Sequence, residues 1–194
     1  MHDHAYSPDQ RDARLEALLQ VTEILGSRVE FQQILDTITL AAQTGFQCGY
    51  VSIMLLNEET AELEVCSVAG DEAKSILGHK QKLGEGVAGH VAQEGKPLVL
   101  GGRVDSREFR DYRERRTRPS ASMVVPIVLR EELIGVLAIN AMAPGQRYHD
   151  DDLRILQIFA SIVGVCIRHY QQAEWMRETI RGLQSVLESQ GEAA

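Results

Sequence analysis

Residues 50–69 read YVSIMLLNEETAELEVCSVA. Apart from Ser52 the first seven are apolar and rich in strand formers, NEETA interrupts them, and ELEVCSV then alternates with period two, which predicts a β-hairpin. Alternation puts Tyr50, Ser52, Met54 and Leu56 on one face of the first strand and Val51, Ile53 and Leu55 on the other. The same pattern returns at 122–141, SMVVPIVLREELIGVLAINA, with a tight turn predicted near Arg130 and Glu131. Pro126 lacks an N–H, so its strand is expected to carry a bulge there or to turn that position away from a ladder partner.

Helices are predicted on both sides of this β-rich centre. Leu15, Leu18, Leu19, Val21 and Leu25 recur at helical spacing up to Gly26. Phe31, Ile34, Leu35, Ile38, Ala41 and Ala42 repeat it after a start signal in Ser27–Glu30, with Gly45 as the expected end. A last helix begins after Tyr148, where Asp150, Asp151 and Asp152 meet the positive end of its dipole. Adjacent helical positions diverge, so these aspartates are read as a helix start and not as a metal site. Leu153, Leu156, Phe159, Ile162, Val163, Cys166, Ile167 and Tyr170 form the stripe expected to be buried. Beyond it, Ala173, Met176, Ile180, Leu183 and Leu187 follow at spacings of three and four, a heptad seam expected to pair two copies of the chain or to fold back on the first helix. The expected organisation is a flexible tail over 1–14, one domain over 15–170 and a helical extension over 171–194. The fold class is α+β: a central antiparallel sheet with the terminal helices on one face and a loop-roofed and short-helix-roofed pocket on the other.

Composition narrows the function classes. The net charge of −8 argues against a nucleic-acid surface. Polar residues at the start lack the pattern of a secretory signal and no apolar run reaches membrane-spanning length, so a soluble, cytoplasmic protein is expected, with no membrane partner. Cys48, Cys66 and Cys166 are an odd number without C-x-x-C spacing and are read as reduced thiols. Ser120 and Ser122 stand in no recognisable hydrolase motif, and His2 and His4 belong to the tail. No cofactor or metal is assigned.

Two segments invite a functional reading. LGEGVAGHVAQEGKPLVL (83–100) has glycines beside Lys96 but not the spacing of a nucleotide P-loop. It predicts a sharp turn at Gly84 and Gly86, a short helix closed by Gly95, and a strand after Pro97. An anion bound there is expected to meet the backbone N–H groups of Gly86 and Val87 rather than Lys96. Residues 103–118 hold seven arginines against four acids, a local charge of +3. DSREFRDYRERRT within it is read as a short helix capped by Asp105 or Ser106. Phe109 and Tyr112 share one of its faces, and Arg107–Asp111 and Arg110–Glu114 are spaced as surface pairs. It is either a solvated helix or a lid that closes Phe109 and Tyr112 over a ligand.

Taken in order, VSIMLLNEETAELEVCSVAG, LGEGVAGHVAQEGKPLVL, SMVVPIVLREELIGVLAINA and RYHDDDLRILQIFASIVGVCI resemble the GAF domain, a small-molecule-sensing module of signalling proteins. The resemblance covers about 15–170. It implies a pocket on the sheet face away from the terminal helices, lined by Ser52 and Met54, and an unidentified small-molecule ligand. It further implies a sensor acting through its terminal helices on a kinase or transcription-regulator output, in a setting such as a two-component system. Against the Asn–Lys–Phe–Asp–Glu signature of cyclic-nucleotide receptors, Asn140 matches. Ala141 and Met142 stand where a lysine is expected, Tyr148 replaces the Phe, and Asp151 and Asp152 match the acidic end loosely. Relatives that reduce free methionine sulfoxide need paired reactive cysteines, which the dispersed thiols here do not supply. The expectation is therefore a non-catalytic, homodimeric sensor, with a ligand-free dimerisation and docking scaffold as the alternative. The candidate ligand residues are Ser52, Met54, Gly86, Val87, Phe109, Tyr112 and Asn140, and the candidate dimer residues are Met176, Ile180, Leu183 and Leu187.

Overall fold

In the computed structural model, residues 8–24, 29–102, 104, 107–112 and 118–191 are described, with side chains described except at 8–10, 71–73 and 185–191. The expected hairpins form as β1 (Tyr50–Asn57) with β2 (Glu62–Ala69), and β5 (Ala121–Leu129) with β6 (Glu132–Ala141). β3 (Lys80–Lys82) pairs with β2 and β4 (Leu98–Gly101) with β5, giving one antiparallel sheet in the order β3-β2-β1-β6-β5-β4. Arg130 and Glu131 occupy the turn between β5 and β6 with φ of 50° and 70°. Pro126 pairs with Val136 of β6, while β4 reaches only Val124, so the missing N–H faces no ladder partner.

Helices α1 (Pro8–Glu23), α2 (Phe31–Gly45) and α4 (Asp150–Gly191) cover one face of the sheet, and α3 (Gly86–Glu94) lies on the other. As the alternation of β1 requires, Val51 and Ile53 pack with Leu35, Ile38, Phe159 and Val163 on the helical side, and Met54 packs with Val91 and Val124 on the opposite side. In β2 the register shifts between Ile53 and Met54, where Cys66 is the extra residue. The bulge turns Leu63 and Val65 toward α3 and Ser67 toward α2, where Ser67 Oγ donates to Asp36 Oδ1 at 2.7 Å and lies 3.0 Å from Thr39 Oγ1.

Several sequence expectations change. α1 begins at Pro8, inside the segment expected as a tail. Its inward face is Arg14, Ala17 and Val21, whereas Leu15 and Leu19 are more than half exposed. Leu25, Gly26 and Ser27 lie outside the described residues. Glu30 precedes α2 without a capping bond. Gly45 is the last residue of α2, as expected, and a Cβ there would approach Ala17 Cβ to 2.7 Å. Between β2 and β3 the chain forms a 3-10 helix, Asp71–Ile76.

In α4 the expected stripe is buried at Leu156, Phe159, Val163, Cys166 and Ile167. Asp152 Oδ2 accepts from the His149 backbone N–H at 2.7 Å, reciprocating Leu153 N–H donating to His149 O, in a carboxylate cap of the helix start. A stretch within Asp150–Gln184 has a mean hydropathy of 1.3, so by length and composition α4 is apolar enough to cross a bilayer, contrary to the sequence expectation. Its apolar side is the one packed on the sheet, and 39% of that stretch is buried. The helix runs on to Gly191, and Met176, Ile180 and Leu183 are all half or more exposed. The side chain of Leu187 lies outside the described residues.

Candidate functional site

On the α3 side, the sheet is the floor of a cavity of about 630 Å³. It is there because the side chains at the middle of the floor, Ser52, Ser122 and Ala138, are short. Across the strands, Tyr50, Asn140, Ser122 and Leu100 stand in one row, and Ser52, Ala138 and Val124 in the next. The large residues of the same strands, Ile53, Leu137, Ile139, Met123 and Val125, point to the helical core. Met54 and Val65 continue the floor, and Ile76, Gly86, Val87 and Ala88 enclose it from above. Gly102, Val104, Asp111, Tyr112, Arg118 and Pro119 close the side.

The floor is polar at one end and apolar at the other. Ser52, Ser122 and Asn140 are 2%, 7% and 7% exposed. Ser122 Oγ donates to Asn140 Oδ1 at 2.7 Å, so the amide presents its Nδ2 to the cavity. At the rim the charges are engaged locally: Lys80 Nζ lies 3.2 Å from Glu64, Asp111 lies 3.4 Å from Arg110, and Glu85 accepts from the Lys82 N–H at 3.1 Å.

The glycine-rich segment folds as expected. Gly84 and Gly86 take φ of 80° and 57°, and Gly95 closes α3 at φ 65° with its N–H on Val91 O. Lys96 does not line the cavity. The expected anion seat does change: Gly86 N–H donates to Arg110 O at 2.7 Å, so this donor already holds the neighbouring loop. That loop is not the expected helix over its described residues 107–112. It is a turn with Asp111 at φ 52°. Phe109 is 6% exposed and sets its ring edge-on to His90 of α3, centroids 5.3 Å apart, outside the cavity lining. Tyr112 lines the cavity beside it. The expected caps Asp105 and Ser106, and Glu114, lie outside the described residues.

Of the seven candidate ligand residues, Ser52, Met54, Gly86, Val87, Tyr112 and Asn140 therefore line one cavity, and Phe109 braces its roof. Sequence reasoning missed Ser122, Val124 and Ala138, although period-two alternation counted from Asn140 and carried across the hairpin would have found them.

All three thiols are free, and none lines this cavity. Burial pushes Cys48 up to about 12 and Cys166 up to about 11, and it also raises Cys66. Cys166 instead borders a groove of about 570 Å³ between Ile24, Val29 and Ile34 and the outer half of α4. Among the described residues no group of His, Cys, Asp and Glu could hold a metal ion.

An antiparallel six-stranded sheet with terminal helices on one face and a cavity roofed by a short helix on the other defines a two-layer α+β module. The family model of the GAF domain matches residues 30–167, and the chain belongs to that family. Among curated proteins it is similar to the Nif-specific regulatory protein of Herbaspirillum seropedicae, 23% identical over 181 residues that make up 89% of this chain and 33% of that one. It is also similar to the Nif-specific regulatory protein of Azospirillum brasilense, at 29% over 186 residues, 89% of this chain and 29% of that one. The chain thus spans about a third of the length of these relatives. Among solved structures, the GAF domain of an Acinetobacter phosphoenolpyruvate-protein phosphotransferase superposes with a TM-score of 0.68 at 20% identity, covering 87% of this chain and 99% of that one. A free methionine-R-sulfoxide reductase from Neisseria meningitidis, in complex with its substrate, gives 0.70 at 21% identity, covering 87% and 96%. At these identities the structural likeness concerns the fold alone.

Proposed function

We propose that the protein is a non-catalytic regulatory GAF module that binds a small molecule in the sheet-face cavity and passes its occupancy to α1 and α4. The observation that carries this reading is the floor: three polar side chains, each more than nine-tenths buried, open into a space of ligand size. Similarity to two Nif-specific regulatory proteins supports a regulatory setting with an output region elsewhere in the protein. A ligand preferring one arrangement of the Phe109–His90 and Gly86–Arg110 contacts would shift the population of roof states. Native mass spectrometry of freshly purified protein tests the binding reading: a retained small molecule supports it. If the protein is bare and no metabolite library shifts its melting temperature, the reading is wrong and the scaffold alternative takes its place.

The reductase alternative has less support. Its chemistry needs accessible low-pKa thiols at the pocket, whereas here all three thiols lie outside the lining and are raised by burial.

The module acts as a homodimer through α4. Ala173, Ile180 and Leu187 continue in steps of seven the inward positions Phe159 and Cys166, Met176 and Leu183 stand between them at heptad spacing, and the described members beyond Ala173 are exposed. The roughly four turns from Ala173 to Leu187 have little stability alone and gain it from a partner helix. Sedimentation of wild type against Met176→Glu with Ile180→Glu checks this: a dimer converted to monomer supports it, and a monomeric wild type rules it out. Cytoplasmic location is proposed on the same footing and is read by fractionation.

A further inference from the structure

The cavity floor carries information about the chemistry of its occupant, and the inference drawn here rests on the binding reading above. Asn140 Oδ1 is held by Ser122 Oγ, which fixes the amide plane and leaves Nδ2 as a donor facing the cavity. Among the described residues nothing accepts from Nδ2, and nothing bonds Ser52 Oγ. Both side chains are more than nine-tenths buried. Neither atom is sealed from solvent, so a ligand that pairs with both replaces water at groups the sheet already holds in place. Ser52 stands opposite Ala138 and Tyr50 opposite Asn140 on adjacent strands, so the two open groups sit diagonally, within reach of one small head group.

The remaining polar groups argue against a charged head. Lys80, Asp111 and Glu85 are each engaged by a neighbour at the rim, Gln81 Nε2 donates to Glu85 O, His79 is exposed at the rim, Arg118 and Tyr50 have partners of their own, and the Gly86 N–H is taken by Arg110. Among the described residues, a carboxylate buried against Asn140 and Ser52 would meet two neutral donors and no ammonium or guanidinium without a partner of its own, which does not offset its desolvation. An ammonium would meet the amide donor head-on. A neutral carbonyl accepts from Nδ2, and an adjoining N–H donates to Ser52 Oγ. Four residues further along β6, about 14 Å away, the floor has become Val136, and Met54, Val65, Val124 and Ala138 offer only apolar surface on the way.

We infer that the cavity selects an uncharged amide-like molecule, a lactam or primary or secondary carboxamide, whose head pairs with Asn140 and Ser52 and whose apolar body lies over Met54, Ala138 and Val124.

Three probes with one body separate the possibilities: 3-phenylpropanamide, 3-phenylpropanoate and 3-phenylpropylamine, titrated into the full chain and followed by protein NMR. The amide is expected to bind at least about tenfold more tightly than either charged probe. Asn140→Asp keeps the Ser122 bond and replaces the donor by a carboxylate oxygen. It should abolish amide binding and make the amine the preferred probe. Ser52→Ala should weaken the amide and leave the two charged probes unchanged, and Ala138→Leu should exclude all three by filling the floor. If the carboxylate or the amine binds best to wild type, or if Asn140→Asp leaves the amide affinity unchanged, the inferred ligand class is wrong while the binding reading stands, provided Ala138→Leu still blocks. If none of the three binds wild type at millimolar concentration, the class is likewise overturned, and the mass spectrum then decides the binding reading independently.

Discussion

Arg14 in the second turn of α1 is ion-paired with Asp152 at the start of α4, and both side chains are almost wholly buried. The guanidinium also lies over the Phe46 ring, 5.3 Å from its centroid. One carboxylate thus does two jobs: Oδ1 joins the terminal helices and Oδ2 caps α4 through His149. Removing one charge leaves the other buried and uncompensated, which typically costs about 3–5 kcal/mol. Urea unfolding of Arg14→Met is expected to show a loss of that size. Pairing it with Asp152→Asn, which keeps an acceptor for the cap, should recover a large part of the loss. Simple additivity of the two would show that the pair does not act as a unit.

Two glycines inside helices are expected to respond to alanine with opposite sign. At Gly45 a Cβ would approach Ala17 Cβ to 2.7 Å and Ala13 O to 3.2 Å, so Gly45→Ala must push α1 away from α2. At Gly182 nothing lies within 4 Å, and alanine there adds about 1 kcal/mol of helix propensity. Thermal unfolding should therefore show a lower midpoint for Gly45→Ala. Gly182→Ala should increase helical ellipticity without lowering the midpoint.

The strands and the face assignment of β1 were legible because alternation is a local signal set by the pleat. Where contacts are distant in sequence, the reading failed. α1 displays apolar residues on more than one side, and the buried side was decided by Asp152, 138 positions away, and by the Ala17–Gly45 contact. Counting leucines therefore selected Leu15 and Leu19, which face outward. The cavity floor was half read: Ser52, Met54 and Asn140 were found, while Ser122 and Ala138 were passed over, although alternation from Asn140 reaches Ala138 directly and Ser122 across the hairpin. Phe109 looked like a lid residue because a helix was assumed, but the left-handed Asp111 turns the segment so that Phe109 braces α3 instead.

The turn between β5 and β6 stores strain. Arg130 and Glu131 both have φ in the left-handed region, where side-chain-bearing residues are disfavoured and Asn-Gly is preferred. Replacing Arg130→Asn together with Glu131→Gly should raise stability by about 1 kcal/mol, read as a higher urea midpoint. Glu131→Val should lower it. Equal midpoints for the two substitutions would mean that the strain is relaxed in solution.

Alkaline pH should weaken the fold through a buried thiol. Burial raises Cys48 from an ordinary 9.0 to about 12, against partial relief from backbone hydrogen bonds. Below about 9 the thiol is protonated in both states, and its contribution to stability is fully present. Between about 9 and 12 the unfolded chain releases the proton and the folded chain keeps it, so each rise in pH favours unfolding and the contribution is lost. At pH 10.5 this amounts to at most about 2 kcal/mol, from 1.36 kcal/mol per pH unit. Urea midpoints at pH 8 and pH 10.5 should therefore fall further in wild type than in Cys48→Ala, with Cys166 contributing equally to both. Iodoacetamide should label Cys66, the most accessible of the three, before Cys48 or Cys166 in the native protein. If Cys48 is labelled first, or if the alkaline loss is the same with and without it, the folded protein does not shield this thiol.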